Sequence, residues 1–370
     1  MTAHLDELEA ATAALAAGGY CIVLDESSRE VEAALIFPAA TATAEQIAFL
    51  MRNSTGIIGV AVPSEVLDRL GVPPMTAINQ HSHGIGMAVS VDAREVKGNG
   101  ASASDRALTA RVIADPKSTR SDVVRPGCMF PYRAVSGGVL RRTGCVEAAV
   151  DLMQIAGGRP AAVTAELVND DGSLMNAAEA RAFAEAHRIP MVSVPQLVRL
   201  RLQSERAIER VAEAELPTDF GPFHMIGYRS LIDESEHVAL IAGDITDGHD
   251  VLVRVHAECL LGDVVCSTRC KCNARLHRSM QRIQEEGRGA LIYTRAQSAQ
   301  GSGLLARLSA YAEGDDASSH LPPTDVKNYG TGSQILKDLG ISSMRLLTSS
   351  PERPVNLESF GLTITGVEAI

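Results

Sequence analysis

The chain has 370 residues, 45% of them hydrophobic and 21% charged, and a formal net charge of −11. This composition excludes a disordered chain, a coiled coil and a collagen-like fibre, and the length suits two domains. No apolar run approaches the ~20 residues that span a bilayer. Residues 1–203 carry 18 basic against 22 acidic groups, so neither half offers the broad basic face of a non-specific nucleic-acid binder.

The first residues are acidic and amphipathic and lack the features of a secretion signal, so a cytoplasmic protein is expected. Leu5, Leu8, Ala11 and Leu15 share one face of a helix over 5–18, which Gly18-Gly19 ends. The apolar run Tyr20 to Leu24 reads as a buried strand, and 25–30 as a charged loop beyond it. Thr43 to Met51 reads as a helix with Glu45 in its first turn. Met87 to Ala93 alternates like a strand, and Gly98 to Arg106 opens a helix that runs to about Ala114. Small residues before a helix N-terminus make an anion cradle, or simply a cap.

Arg125-Pro126-Gly127 reads as a turn, Gly144 to Ala156 as a helix, Pro160 to Leu167 as a strand and Asn169 to Gly172 as a tight turn. A helix and a short strand end near Val194. Residues 197–212 read as a charged helix, with the domain boundary near residue 204. Several strands follow, then a cysteine-rich loop, a helix over 274–286 and a strand over 290–294. A small-residue segment over 297–303, a helix over 304–312 and an acidic, serine-rich loop over 313–325 complete the expectation.

Seven cysteines are too few and too uneven for a disulfide framework in a chain this long. Cys259, Cys266, Cys270 and Cys272 cluster, and Cys259-x10-Cys270-x-Cys272 is the strongest chemical signal. Zn²⁺ favours thiolates, and a catalytic site keeps three protein ligands and one open position. The competing reading is buried, inert thiols. Cys266 is expected to be structural or a fourth ligand, and Cys21 a core residue. In the other half, Arg29-Glu30-Val31-Glu32 follows a strand end, where α/β sheets place ligands. Glu30 and Glu32 point the same way if the loop is extended; the competing reading is a solvated charged loop.

The run Arg254 to Asp263, followed by Ser267 to Cys272, resembles GTP cyclohydrolase II, as do Glu285 to Gly289 and Arg345 to Thr348 with Pro351 and Arg353. The resemblance covers about 206–370. It implies zinc at Cys259, Cys270 and Cys272, with Arg254, Glu258 and Arg269 near the metal and the nucleotide phosphates. Thr348 and Arg353 would close on the same ligand. In that family a zinc-activated water opens the imidazole ring of GTP and releases formate. Tyr311 matches a family tyrosine, and Asp325-Val326-Lys327 stands where the family has Asp-x-Arg, its base and nucleophile. Ala296 to Gln300 lacks the acid and arginine of the family's Gln-Glu-Gly-Arg stretch. Lysine lacks the planar fork of arginine, so zinc binding without ordinary turnover is expected of this half.

Residues 1–203 resemble 3,4-dihydroxy-2-butanone 4-phosphate synthase, through Val23 to Glu26, Arg29, Glu30 and Glu32, Ile36 to Ala39, Arg125 to Gly127, Phe130-Pro131, Gly137 to Leu140, Glu147-Ala148, and Glu166 before Asn169 to Gly172. This family converts ribulose 5-phosphate with Mg²⁺ by enolisation, dehydration and loss of formate. The resemblance implies Glu30 as a metal ligand, Arg29, Glu32 and Glu166 around the substrate, and Asp105 and Arg106 at its phosphate. Cys128 and Cys145 stand where the family has histidines, the second a metal ligand. A thiolate suits hard Mg²⁺ poorly, and a neutral thiol is a weaker base than imidazole. His81 and His83 are candidates to join Cys128 and Cys145 in a softer site, or are exposed loop histidines.

The expected fold is therefore α/β and α+β in two domains, 1–203 dihydroxybutanone-phosphate-synthase-like and 204–370 GTP-cyclohydrolase-II-like. Zn²⁺ in the second and Mg²⁺ in the first are the expected cofactors, small phosphorylated substrates the expected partners, and a homodimer the expected assembly. Three functional readings stand: a diverged bifunctional enzyme, an ordinary riboflavin-precursor enzyme, and a non-catalytic partner of a working paralogue. The readable motifs around two cysteines favour the first.

Overall fold

The computed structural model describes residues 2–25, 31–76, 79, 85–295, 326–348 and 362–370, with side chains starting at Glu7 and Thr331 in the two helices that begin at Thr2 and Val326. The chain divides into two compact units, Met1–Val198 and Arg199–Ile370. Among the described residues no helix is long and apolar enough to cross a membrane.

The first unit runs α1 (Thr2–Ala16), β1 (Cys21–Asp25), β2 (Glu32–Pro38), α2 (Ala44–Asn53), β3 (Gly59–Pro63), α3 (Ser64–Arg69), β4 (Val91–Ala93), α4 (Ala103–Ala114), β5 (Val123–Ala134), α5 (Cys145–Ile155), β6 (Ala162–Glu166), α6 (Ala177–His187) and β7 (Met191–Ser193), and the boundary between the units falls within α7 (Val194–Ser204). Among the described residues the strands of this first unit form one mixed sheet in the order β4-β5-β3-β6-β2-β1-β7. The β1 and β2 sequences are nearly continuous apolar runs because both faces of these strands are covered. Leu8, Ala11 and Leu15 bury one stripe of α1 as the spacing requires. Helix α2 starts where Thr43 accepts from Gln46 N, and Gln46 closes a reciprocal capping box. Ile22, Leu24, Leu35 and Phe37 project to one side into a core with Ile47, Leu50 and Ile113. Each such side chain contributes roughly 1.5–3 kcal/mol by leaving water.

The second unit runs β8 (Ile208–Thr218), β9 (Gly221–Ser230), β10 (Glu236–Ala242), β11 (Val251–Ala257), α8 (Cys272–Glu286), β12 (Gly289–Thr294), α9 (Val326–Asp338), β13 (Ser343–Thr348) and β14 (Thr363–Ala369). Its sheet order is β14-β13-β11-β12-β10-β9-β8. Strand β11 is parallel to both β12 and β13, so these three strands end at the same edge. Leu252, Leu291 and Leu347 from these strands meet Met280 and Ile283 of α8 in a small core.

Three expectations are corrected. Arg125-Pro126-Gly127 is not a turn; it lies inside β5. The β4–β5 register shifts between Val91 and Asp92, and a side chain on Gly127 would sit 2.1 Å from the Val91 carbonyl carbon. The Pro-Gly pair thus permits an irregular, close pairing where a chain reversal was expected. The charged helix over 197–212 ends at Ser204, and Ile208 onward is strand, because β8 finds a ten-residue antiparallel partner in β9 that local periodicity does not register. The strand expected over 87–93 is confined to Val91–Ala93, with isolated bridges at Met87 and Ala88.

Candidate active sites of the two units

In the first unit the register of three neighbouring strands assembles carboxylates. Asp25 pairs with Glu32 across β1–β2, and Ala34 pairs with Glu166 across β2–β6. Paired residues and residues two apart share a face, so Asp25, Glu32 and Glu166 project together from one edge of the sheet. Helix α5 packs on that sheet and starts with Cys145, whose Sγ lies 3.9 Å from both the Val23 and Glu32 carbonyl oxygens. Burial pushes the Cys145 thiol well up, and the charges of Asp25, Glu32, Glu166 and Glu147 push it further. Cys145 is thus a protonated thiol among carboxylates. Tyr132 stands by the same group, its hydroxyl pushed up to about 12 by burial and by the Glu166 charge. Its ring needs Gly59, where a Cβ would lie 1.9 Å away.

Two acids on the buried side of α5 hold the loop before Cys145. Glu147 accepts from Val135 N at 3.1 Å and from Arg142, and Asp151 accepts from Val139 N at 2.9 Å. Burial raises the Glu147 carboxyl, with Arg142 opposing. The sequence signal for Asp151 is its spacing from Glu147, an acid pair at i and i+4 on an otherwise apolar helix.

Cys128, Asp105 and Arg106 form a neighbouring group. Cys128 N donates to Asp92 at 2.9 Å, and its Sγ lies 3.4 Å from Asn99 O. Ser102 caps α4 by accepting from Asp105 N, so this terminus carries its own cap. Arg106 donates to Ala101 O and Gly56 O. Gly56 follows Thr55, whose N–H donates to Glu166 O, so this group adjoins the carboxylate edge. Arg29, Glu30, His81 and His83 lie outside the described residues.

In the second unit the structure brings Cys259, Cys270 and Cys272 together. Their sulfurs all lie within 4.8 Å of one another, the only such three-ligand group among the described residues. The Cys259–Cys270 sulfur separation is 3.8 Å. A tetrahedral Zn²⁺ with sulfurs at ~2.3 Å has a sulfur–sulfur edge of about that length, so the residues fit the metal. Burial raises the Cys272 thiol, and the two neighbouring sulfurs raise it further; a cation among the three would relieve that crowding of like charge. Gly262 makes room, since a Cβ there would sit 2.6 Å from Cys270 Sγ and 3.1 Å from Cys259 Sγ. Cys266 is exposed and outside the group, with its Sγ 3.7 Å from Asn273 Nδ2.

The other candidates line the shared end of the parallel strands, where such sheets bind ligands. Arg254 on β11 donates to Leu347 O at 3.1 Å. Glu258 follows β11; its N–H donates to Thr294 O, and Arg295 Nε lies 3.5 Å from its carboxylate. Thr348 ends β13, and Arg269 lies in the cysteine loop with its N–H donating to Ser267 Oγ. Tyr311, Asp325 and Arg353 lie outside the described residues; Lys327 falls in the first turn of α9, without a described side chain.

Sequence reasoning missed the support beneath the cysteines. Asp263 accepts from Cys259 N at 2.8 Å, from Tyr293 OH at 3.0 Å and from His256 Nε2 at 3.1 Å. Burial pushes its carboxyl up, but these hydrogen bonds outweigh burial and hold it below the usual range.

The family model for 3,4-dihydroxy-2-butanone 4-phosphate synthase matches residues 9–200, and that for GTP cyclohydrolase II matches 209–369. A riboflavin biosynthesis protein RibBA of Nocardia farcinica is 48% identical, over 98% of this chain and 90% of its own length. The RibBA of Salinispora arenicola is 46% identical, over 97% of this chain and 87% of its own. Among solved structures, RibBX of A. baumannii, described as a two-domain 3,4-dihydroxy-2-butanone 4-phosphate synthase, is similar at 26% identity and a TM-score of 0.81, over 98% of this chain and 99% of that one. A 3,4-dihydroxy-2-butanone 4-phosphate synthase solved with two magnesium ions matches at 35% identity and a TM-score of 0.50, over 52% of this chain and 96% of that one. The chain belongs to the family of riboflavin-biosynthesis proteins in which a 3,4-dihydroxy-2-butanone 4-phosphate synthase domain precedes a GTP cyclohydrolase II domain.

Proposed function

We propose that the chain is a cytoplasmic bifunctional enzyme of riboflavin-precursor synthesis. The first unit takes ribulose 5-phosphate to 3,4-dihydroxy-2-butanone 4-phosphate and formate, and the second opens the imidazole ring of GTP. The observation that carries this reading is the convergence of Cys259, Cys270 and Cys272 beside the common end of three parallel strands, in a chain that matches RibBA relatives over almost its whole length. Zn²⁺ held there by three thiolates would supply a Lewis acid that activates water near neutral pH. Arg254 and Arg269 neutralise phosphate charge, and Glu258, beside Cys259, orients the reacting base. Tyr311, Asp325, Lys327, Thr348 and Arg353 are assigned to the same ligand.

In the first unit, Arg29, Asp105 and Arg106 hold the sugar phosphate, Glu32 and Glu166 move protons at its hydroxyl carbons, and Glu30 offers a carboxylate oxygen to Mg²⁺. Oxygen donors suit that ion; the protonated Cys145 thiol does not. Cys128 occupies the remaining proton-transfer position.

Cys145 favours a second reading, confined to the first unit: its rearrangement chemistry has diverged, because a buried thiol replaces a base and ligand. The test is incubation of the purified full chain with ribulose 5-phosphate and Mg²⁺, and separately with GTP, followed by formate assay, mass spectrometry of products and metal analysis. Formate from both supports the bifunctional reading. Formate from ribulose 5-phosphate only after Cys145→His supports the diverged reading, and a zinc-free, GTP-inert protein refutes the assignment of the second unit.

A further inference from the structure

The three sulfurs sit on an irregular loop, and something must hold it against the sheet. Residues Leu260–Val264 make one π-helical turn directly after Cys259. Within it Cys259 and Asp263 are tied twice: Asp263 N donates to Cys259 O at 2.6 Å, and Cys259 N donates to the Asp263 carboxylate at 2.8 Å. The same carboxylate, only 2% exposed, reaches His256 Nε2 on β11 and Tyr293 OH on β12. His256 and Tyr293 are register partners across those parallel strands, and their rings stack at 5.6 Å with an interplanar angle of 19°. Asn273, beside Cys272, donates to Asp263 O at 3.1 Å. One buried acid therefore joins both ends of the cysteine loop to two strands, and His256 Nε2 must carry a proton to donate to it.

We propose that Asp263, seated on the His256–Tyr293 pair, is the positioning residue of the metal site: it fixes the Cys259 backbone and thereby the spacing of the three sulfurs. This rests on the reading of Cys259, Cys270 and Cys272 as zinc ligands. Asp263 ligates nothing itself. It acts through Cys259, as the hydrogen-bonded groups behind metal ligands do elsewhere, where their loss typically costs ~10–100-fold in affinity or activity.

The test uses the full chain as wild type, Asp263→Asn and Tyr293→Phe. Zinc affinity is measured by competition with a chromophoric chelator, thiolate-to-metal absorption is recorded on the cobalt(II)-loaded proteins, and melting is recorded without metal. Asp263→Asn keeps the volume but cannot accept three donors, so its zinc affinity is expected to fall by ~10–100-fold with altered cobalt bands. Tyr293→Phe, which removes one hydrogen bond, is expected to fall in the same direction by less, with metal-free melting close to wild type. Wild-type affinity and cobalt bands in both variants would overturn the proposal. If Asp263→Asn fails to fold, unchanged affinity in Tyr293→Phe overturns it alone. A wild-type chain that takes up no zinc overturns the zinc reading as well as this one, which separates the two failures.

Discussion

Gly262 offers a sharp test of the cysteine site because it separates space from hydrogen bonding. A Cβ at this position would lie 2.6 Å from Cys270 Sγ, 2.8 Å from Cys272 Cβ and 3.1 Å from Cys259 Sγ. Gly262 is not among the positive-φ glycines, so alanine meets no backbone penalty, and the whole effect of Gly262→Ala comes from contact with the ligand residues. Cys270 Sγ can rotate away, but only by leaving its 3.8 Å spacing to Cys259; Cys272 Cβ is fixed by the first turn of α8. Inserting a methyl into a filled site costs about 1–3 kcal/mol. If that cost falls on the metal-loaded state, it weakens zinc binding by ~5–150-fold, at 1.4 kcal/mol per factor of ten. The assay is chelator competition on zinc-loaded protein, with metal-free melting measured in parallel. Equal zinc affinity in Gly262→Ala and wild type would mean that the sulfurs do not converge over this residue, and the steric reasoning would fail.

Gly59→Ala puts a methyl 1.9 Å from the Tyr132 ring and 2.5 Å from Phe130 O; we expect about 1–3 kcal/mol of destabilisation or more, read as a lowered denaturation midpoint. Asn176→Ala removes the acceptor for Ala178 N and Glu179 N at the start of α6, and an expected loss of about 1 kcal/mol is checked by chemical denaturation. Burial pushes the Cys21 thiol up to about 12, so the folded state holds its proton more tightly than the unfolded state. The resulting stability is complete below the ordinary thiol pKa and is lost as pH rises towards 12, at about 1.4 kcal/mol per pH unit within that window. Cys21→Ala should therefore lose less stability than wild type between about pH 8 and about pH 10; identical slopes would refute the assignment.

Much of this fold is legible because short-range rules operate without competition. The Thr43 and Asn176 caps, the apolar runs of β1 and β2, and the buried stripe of α1 each need only a few neighbouring residues to declare themselves. The convergence of Cys259, Cys270 and Cys272 is legible because all three stand on one short stretch of chain, close in sequence. What escapes is long-range. Nothing near Ile208 announces that β9 will claim it as a strand, and Arg125-Pro126-Gly127 has turn composition but sheet neighbours. Asp263 sits between residues at 256 and 293 that meet only once β11 and β12 are side by side. Asp25, Glu32 and Glu166 share an edge through register, which one sequence does not print.

Among the described strands β8 ends its sheet, and Glu209 through Glu215 are exposed on both of its sides. Such a border is a template on which further chains can stack into fibrils. Glu209, Glu213 and Glu215 line it with carboxylates, and Glu213 and Glu215 are held by Arg210 and His224 of the same sheet, so a copy approaching border to border would have to desolvate charged, already paired side chains. Removing those carboxylates would leave a bare strand border, so a chain with all three glutamates replaced by alanine should associate more readily at high concentration than the parent.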